Sequence, residues 1–441
     1  MSRYASTSLL CRRLSLKETL RCALAVAVLH SLFIYTAYAS VNAPLLTTVS
    51  GVVSLAILLN ASVRVWVFSG FFIGVLWFWW IALSFIHYRI LWAVPLGMIF
   101  VGLTYAALFG TVAFIAEKSA GMIRFFPATT RGTLLATLFK ALGLWLFSYV
   151  HPFGFDWYKP ELMFVESYFG VTKTAFALIL AALALAIATR KPVWLLLLLF
   201  AVDTQRLQIF YDDTKDTALV TTYTPVEQKW DPRYREVRFT RLLQAVTDAR
   251  TQGKRLVILP ESVFNVYVMR DATLLARIHK AAEGLTLVTG GLYWDGQNPK
   301  NVAYVFHPDG NVTVGEKTVL VPFGEANPLP TFLSDWVNRV FYDGAVDYVA
   351  ADRPTDVTVA GKRYRLAVCF EATSERLYDP PPKRMIVLSN NGWFTPSTEP
   401  TLQRLLLQYY ARKYGTAYLH AVNMSPSYSI RFPRRKANKT R

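Results

Sequence analysis

Residues 362–372 read KRYRLAVCFEA, a strand-like run that delivers Cys369 at its end and a glutamate, Glu371, two positions later. Two other stretches have the same form. RLVILPES (255–262) is an apolar, β-branched run ended by Pro260 and followed by Glu261, and EKTVLVPFGE (316–325) carries Lys317 just after a predicted hairpin and Glu325 beyond it. Strands are rigid enough to hold groups from distant sequence positions on one rim. Each residue alone has a plainer reading: a cysteine ending an apolar strand is commonly an inert small hydrophobe, a glutamate after proline can cap a helix, and a lysine after a hairpin is commonly solvated. Together they make a chemical set. A thiol with an ordinary pKa near 8.5 is a poor nucleophile at neutral pH, Glu261 can take its proton, and Lys317 can stabilise the oxyanion of a tetrahedral intermediate.

Outward from these stretches, the pattern predicts helix over 236–250, strand over 255–260, helix over 274–284 stopped by Gly284, and strand over 285–294. A hairpin at 301–317 turns on Asp309-Gly310, strands follow at 362–370 and 384–390, the second running into SNNGWF, then helix at 400–414 and strand at 416–423. Alternating strands and helices predict an α/β domain, although the paired strands depart from a simple doubly wound order.

The other half of the chain is of a different kind. Of 441 residues, 53% are hydrophobic and only 17% charged, too apolar for a wholly soluble protein of this size. The excess is concentrated in candidate spans at about 20–40, 44–60, 65–86, 91–115, 132–150 and 171–188, with a shorter run at 192–202. A hydrocarbon core asks for roughly 20 apolar residues per helix. Several such runs exclude a signal peptide ahead of a secreted enzyme. Residues 1–210 are therefore predicted as an all-α membrane domain of six or seven spans, 211–430 as the α/β domain, with a polar surface linker at 211–235, and 431–441 as a basic tail.

The formal charge of +18 reflects topology as well as any partner. Arg12, Arg13, Lys17 and Arg21 precede the first span, the usual cytoplasmic anchor. With that end inside, the basic loop at 117–131 falls inside and the acidic loop at 151–170 outside. Whether segment 192–209 crosses decides the side of the α/β domain. The tail RFPRRKANKTR suits solubilisation, anionic lipid or nucleic acid, but no coherent DNA-binding motif accompanies it. Cys11, Cys22 and Cys369 make no disulfide framework, and a single cysteine in the α/β half excludes an all-cysteine metal site.

RLVILPES, EKTVLVPFGE and YRLAVCFEA resemble the three motifs of the nitrilase, or carbon–nitrogen hydrolase, superfamily. That resemblance implies an αββα sandwich and a triad of Glu261 as general base, Lys317 as support for the tetrahedral intermediate and Cys369 as thioester-forming nucleophile, with no metal or cofactor. VPFGE, the glutamate two residues after the cysteine, SNNGWF and the preceding spans resemble the membrane-embedded branch, the apolipoprotein N-acyltransferases. In that branch an acyl chain passes from a phospholipid to the amino group of a lipoprotein, and the catalytic domain faces the periplasm. Glu325 and Glu371 match its additional acidic positions, and Asn390, Trp393 and Phe394 lie in its SN-x-x-WF segment. These enzymes end in a further spanning helix, whereas this chain closes on RFPRRKANKTR, and HAVNMSPSYSI lacks an expected glycine. The shortened form resembles TraB-type conjugal transfer proteins of plasmids.

The expected function is thus a membrane-bound, Cys-dependent acyltransferase or amidase of the bacterial inner membrane, with phospholipid as acyl donor and a lipoprotein, peptide or small amine, or water, as acceptor. The loop 321–336, with Phe323, Leu329, Phe332, Leu333 and Trp336, suits an apolar entrance for a lipid chain as well as it suits core packing. A second reading makes the protein an assembly component among conjugation machinery proteins. A transporter finds little support, since few ionisable residues fall inside the spans and no paired repeats are evident.

Overall fold

The computed structural model describes residues 14–122, 131–205, 207–327 and 348–433. It divides into two compact units, one of 1–152 with 158–204 and the other of 205–441 with 153–157.

The first unit is helical. α1 (Leu16–Tyr38) starts at a capping box, Ser15 accepting from the Glu18 amide while Glu18 accepts from the Ser15 amide, and it buries Ala23, Val26, Ala27, His30, Phe33, Ile34 and Ala37 at helical spacing. α2 (Pro44–Asn60) follows, then α3 (Val63–Phe78), which a 3-10 turn carries into the short α4 (Ser84–His87). α5 (Ala93–Met122), α6 (Arg131–Leu146) and α7 (Lys173–Thr189) complete the set. α3 meets α5 almost backbone to backbone: a Cβ on Gly70 would lie 2.5 Å from the Tyr105 carbonyl oxygen. Small residues do this work in membranes, where apolar attraction between helices adds little.

Among the described residues, four helical stretches are long and apolar enough to cross a bilayer: Leu16–Tyr38, Val63–His87, Ala93–Ala120 and Leu134–Gly154. Pro44–Asn60, Lys173–Thr189 and Pro192–Ala201 are shorter. The sparse charges pair. Lys140 meets Glu117 at 3.1 Å, and Lys173 meets the fully buried Glu161 at 3.0 Å.

The run from 192 does not continue as one helix through Asp203. Pro192–Ala201 is a ten-residue 3-10 helix, about 20 Å long at ~2 Å per residue. It then turns extended, and Gln208–Phe210 is already a strand. Its end lies back beside the start of α7: the Gly170 amide donates to the Ala201 carbonyl at 2.8 Å, and the Asp203 amide to the Tyr168 carbonyl at 2.9 Å.

The second unit contains two sheets with helices outside them. One sheet has the order β1-β12-β11-β10-β9-β8, where β1 is Gln208–Phe210, β8 Asp356–Val359, β9 Lys362–Val368, β10 Arg384–Asn390, β11 Ala417–Asn423 and β12 Tyr428–Arg431. The other has the order β2-β3-β5-β6-β7, with β4 paired to β5, where β2 is Thr217–Leu219, β3 Leu256–Ile258, β4 Phe264–Tyr267, β5 Thr286–Trp294, β6 Pro299–Phe306 and β7 Val312–Glu316.

Alternation explains the layers. Leu256 and Ile258 of β3 join Leu366, Val368, Ile386 and Leu388 of the opposite sheet in a core between the two sheets. Val257 and Leu259 point the other way, against α9 (Pro232–Thr251) and α10 (Ala272–Ala281), through Leu242, Val246, Leu274 and Ile278. A strand apolar on both faces needs cover on both, which is why RLVILP reads as a continuous run. On the far side α11 (Glu399–Tyr414) packs on β11 and β12. This is the αββα arrangement.

The segment 211–235, read from its polarity as a surface linker, is more ordered than that. Thr217–Leu219 pairs in parallel with β3 in the register Thr217 to Leu256, and Val226–Trp230 forms the short helix α8. Three residues of strand carry too little pattern to be seen in sequence; the ladder to β3 supplies the energy. The loop expected at 151–170 also does more than connect, since Phe153–Trp157 packs within the second unit.

Candidate active site

Cys369 follows the last residue of β9 and opens a 3-10 turn, Cys369–Thr373, with φ of +56°. A non-glycine residue held there stores strain at a sharp turn, which lifts the side chain off the strand end. β9, β10 and β11 run parallel, with Leu388 opposite Val368 and Asn423 opposite Asn390. Their carboxyl ends therefore bring Cys369, Asn390 and Asn423 to one edge. The Asn390 backbone amide donates towards the Cys369 sulfur, while its side chain accepts from Asn423 Nδ2 at 2.7 Å.

Glu261 comes from the other sheet. β3 ends at Ile258, and the chain through Pro260 crosses directly over Gly290 of β5, where a Cβ would sit 2.2 Å from the Ser262 nitrogen and 2.7 Å from the Glu261 Cα. Only glycine allows that approach. Asn301, on β6, donates its Nδ2 to Glu261 Oε1 and to Glu325 Oε1, both at 2.8 Å. Lys317 Nζ lies 2.7 Å from Glu325 Oε2 and 3.9 Å from Glu261 Oε1. Burial opposes the Lys317 charge most, but Glu325, Glu261 and Cys369 together outweigh it and hold the ammonium above its ordinary pKa.

Glu371 acts as a fastener. Its Oε2 accepts from the Thr318 amide at 2.7 Å, the Thr318 hydroxyl at 2.9 Å and the Val319 amide at 3.3 Å, while Oε1 accepts from the Val368 amide at 2.7 Å. One buried carboxylate thus ties the residue before Cys369 to the residue after Lys317. Burial is the main influence on its pKa and raises it, against the lowering by Lys317 and these donors.

Cys369 is held as a thiol. Burial and then the Glu261 charge push its pKa well up, against a smaller lowering by Lys317. Such a thiol reacts only when its proton is removed as it attacks, so a carboxylate acceptor is part of the requirement. A fixed cation beside the same sulfur can hold the negative charge that develops on a carbonyl oxygen.

Glu261, Lys317, Cys369, Glu325, Glu371 and Asn390 are thus brought into one neighbourhood, in which Glu261, Lys317, Glu371 and Asn390 are buried and Cys369 and Glu325 half-buried. Trp393 and Phe394 are half-buried, Trp393 at the end of the 3-10 turn that follows Asn390 and Phe394 just beyond it. Phe323, at φ of +62°, faces Phe153 with ring centroids 6.0 Å apart. The other proposed entrance residues, Leu329, Phe332, Leu333 and Trp336, lie outside the described residues.

Four polar residues were not legible as part of this neighbourhood. Asn301 sits in a hairpin strand with nothing to mark it. Lys229, on α8, is buried, donates to the Glu261 carbonyl at 3.2 Å, and has its pKa lowered by burial to about 8 against the raising by Glu261 and Cys369. Glu399 and Gln403 belong to α11, and Gln403 Nε2 reaches within 3.9 Å of the Cys369 sulfur. An acidic residue followed by proline reads as an ordinary helix start. The segment Phe153–Trp157 was missed too: Trp157 Nε1 donates to Thr373 Oγ1 at 2.7 Å, and Phe155 and Trp157 stack on Phe370, centroids 5.5 and 6.0 Å away.

Residues 17–204 match the family profile of the apolipoprotein N-acyltransferase integral membrane domain. An apolipoprotein N-acyltransferase of Wolinella succinogenes is 37% identical over 93% of this chain and 95% of its own length. One of Helicobacter pylori is 32% identical over 82% of each chain. Among solved structures, an amidase from Nesterenkonia sp. aligns at 14% identity and a TM-score of 0.37, over 51% of this chain and 95% of that one.

Proposed function

This chain belongs to the apolipoprotein N-acyltransferase family, and from that premise we propose that it moves a fatty acyl chain from a membrane phospholipid, through a thioester on Cys369, to the amino group of a lipoprotein. The observation that carries this reading is the half-buried Cys369 thiol set beside Glu261 and the Lys317–Glu325 pair in a chain whose other half is an integral membrane domain. In acylation Glu261 takes the thiol proton as sulfur attacks the ester carbonyl, and Lys317 holds the oxyanion. Collapse breaks the ester C–O bond, and Glu261 returns the proton to the departing lysophospholipid alkoxide. In the second half an amine attacks the thioester, the C–S bond breaks, and the sulfur recovers its proton.

We place the second unit in the periplasm, a reading that two features support. Phe153–Trp157, inside a loop that the charge pattern assigns to the outside, packs against Thr373 and Phe370 of that unit. The 3-10 run from Pro192 returns along α7 to the level of Tyr168–Gly170, as a segment that crosses back must. The conjugal setting expected from the closing segment draws no support from the relatives above, which are apolipoprotein N-acyltransferases.

The test is intact-mass measurement of the full chain in phospholipid vesicles, wild type against Cys369→Ala. A fatty-acyl adduct on the wild type alone, discharged by an amine-bearing lipopeptide, is expected. Absence of any Cys369-dependent adduct across several phospholipids would sink the reading.

A further inference from the structure

Glu399 is out of place for a residue at a helix start. A carboxylate there normally faces water and complements the helix dipole. This one is 2% exposed, and its Oε2 has no hydrogen-bond partner among the described residues. Gln403, one turn later on the same face of α11, is 1% exposed and leaves its Oε1 without a partner in the same way, while its Nε2 points to the Cys369 sulfur.

Buried acceptors left empty cost stability, so a pair of them beside a nucleophile calls for a ligand that brings N–H donors. The cations of the neighbourhood already have partners: Lys317 has Glu325, and Lys229 donates to the Glu261 carbonyl. Glu399 also feels the Glu261 charge and acts on Cys369. Open acceptors in a field made negative by Glu261 suit an ammonium group and repel a carboxylate or phosphate.

Resting on the acyltransferase reading above, we propose that Glu399 and Gln403 form the seat for the amino group of the acyl acceptor. The acceptor arrives as an ammonium and donates to Gln403 Oε1 and Glu399 Oε2. The ammonium's charge favours the ionised form of Glu399, which takes one proton and so frees the nitrogen lone pair. Nitrogen attacks the thioester carbonyl, the C–N bond forms and the C–S bond breaks. The second nitrogen proton passes to Glu261, which returns it to the Cys369 sulfur, and Glu399 releases its own to solvent. Burial, and then Glu261, raise the Glu399 pKa to about 8, close to that of an α-amino group at roughly 8, so the proton moves between matched partners.

The experiment compares two nucleophiles on the preformed acyl-enzyme of the full chain in phospholipid vesicles. One is a synthetic lipopeptide with a free N-terminal amine, charged at neutral pH; the other is hydroxylamine, largely uncharged there. In Glu399→Gln the ratio of lipopeptide to hydroxylamine discharge rates is expected to fall at least tenfold, and in Gln403→Met severalfold. An unchanged ratio in either variant that still forms the acyl-enzyme overturns the ammonium seat. A wild type that forms no hydroxylamine-labile adduct overturns instead the thioester reading on which it rests.

Discussion

Glu371→Gln tests whether the buried fastener positions the nucleophile. In the native carboxylate one oxygen serves three donors, Thr318 N, Thr318 Oγ1 and Val319 N, and the other serves Val368 N. An amide can put its oxygen on only one side. The better choice keeps the three-donor side and turns the NH2 group towards the Val368 amide, which loses one charge-assisted bond and sets donor against donor. At about 1.5–3 kcal/mol for a hydrogen bond to a charged group, and with part of the loss offset by no longer burying a carboxylate, the net cost is about 2 kcal/mol. That free energy divides between the stability of the second unit and the placement of Cys369. If all of it opposed the attack geometry, acylation would slow by roughly 30-fold. The assay is the rate of adduct formation by intact mass, paired with thermal melting of the full chain in detergent. A variant that acylates at the wild-type rate and melts at the wild-type temperature would refute the positioning role; a raised apparent KM with an unchanged maximal rate would make Glu371 a substrate contact instead.

Other outcomes follow from the same geometry. Gly290→Ala places a methyl 2.2 Å from the Ser262 nitrogen, so the Glu261 turn must move; overpacking of this kind costs about 1–3 kcal/mol, and acylation should fall at least tenfold, measured as adduct per minute. Lys229 drops from 10.5 to about 8 on folding through burial, so between those pH values the unfolded chain holds more protons, and stability rises with pH across that window by up to about 3 kcal/mol. Lys229→Met should remove that rise from melting curves between pH 8 and 10, and an unaltered slope would contradict the assignment. Lys173→Met takes the cation from the fully buried Glu161 and should cost about 3–5 kcal/mol, seen as a large drop in the melting temperature of the helical unit, whereas the exposed Arg233→Met should leave it in place.

Several of the strands were legible because their signal is local. RMIVLSN at 384–390 is legible to its true ends, and the Asp309-Gly310 turn lies where its pattern puts it, since β-branched runs bounded by turn residues need no tertiary partner to be seen. Strands of three or four residues at 208–210, 217–219 and 428–431 were not, because each is held by its neighbour in the sheet rather than by its own pattern. The last apolar run shows the same limit: composition could not say that Pro192–Ala201 closes into a 3-10 helix and returns to Tyr168–Gly170.

The sequence alone determined the two-part organisation and named Glu261, Lys317 and Cys369, because hydropathy and a reactive residue at a strand end are properties of short segments. Tertiary structure decided what surrounds them. Asn301, Lys229, Glu399 and Gln403 come from a hairpin, a short helix and a distant helix, and each looks ordinary in its own segment. Only when two sheets close on a common core do these groups lose water together; that shared loss of solvent keeps Cys369 a thiol and Glu399 open beside it, while Glu325 and Glu261 keep Lys317 charged against it.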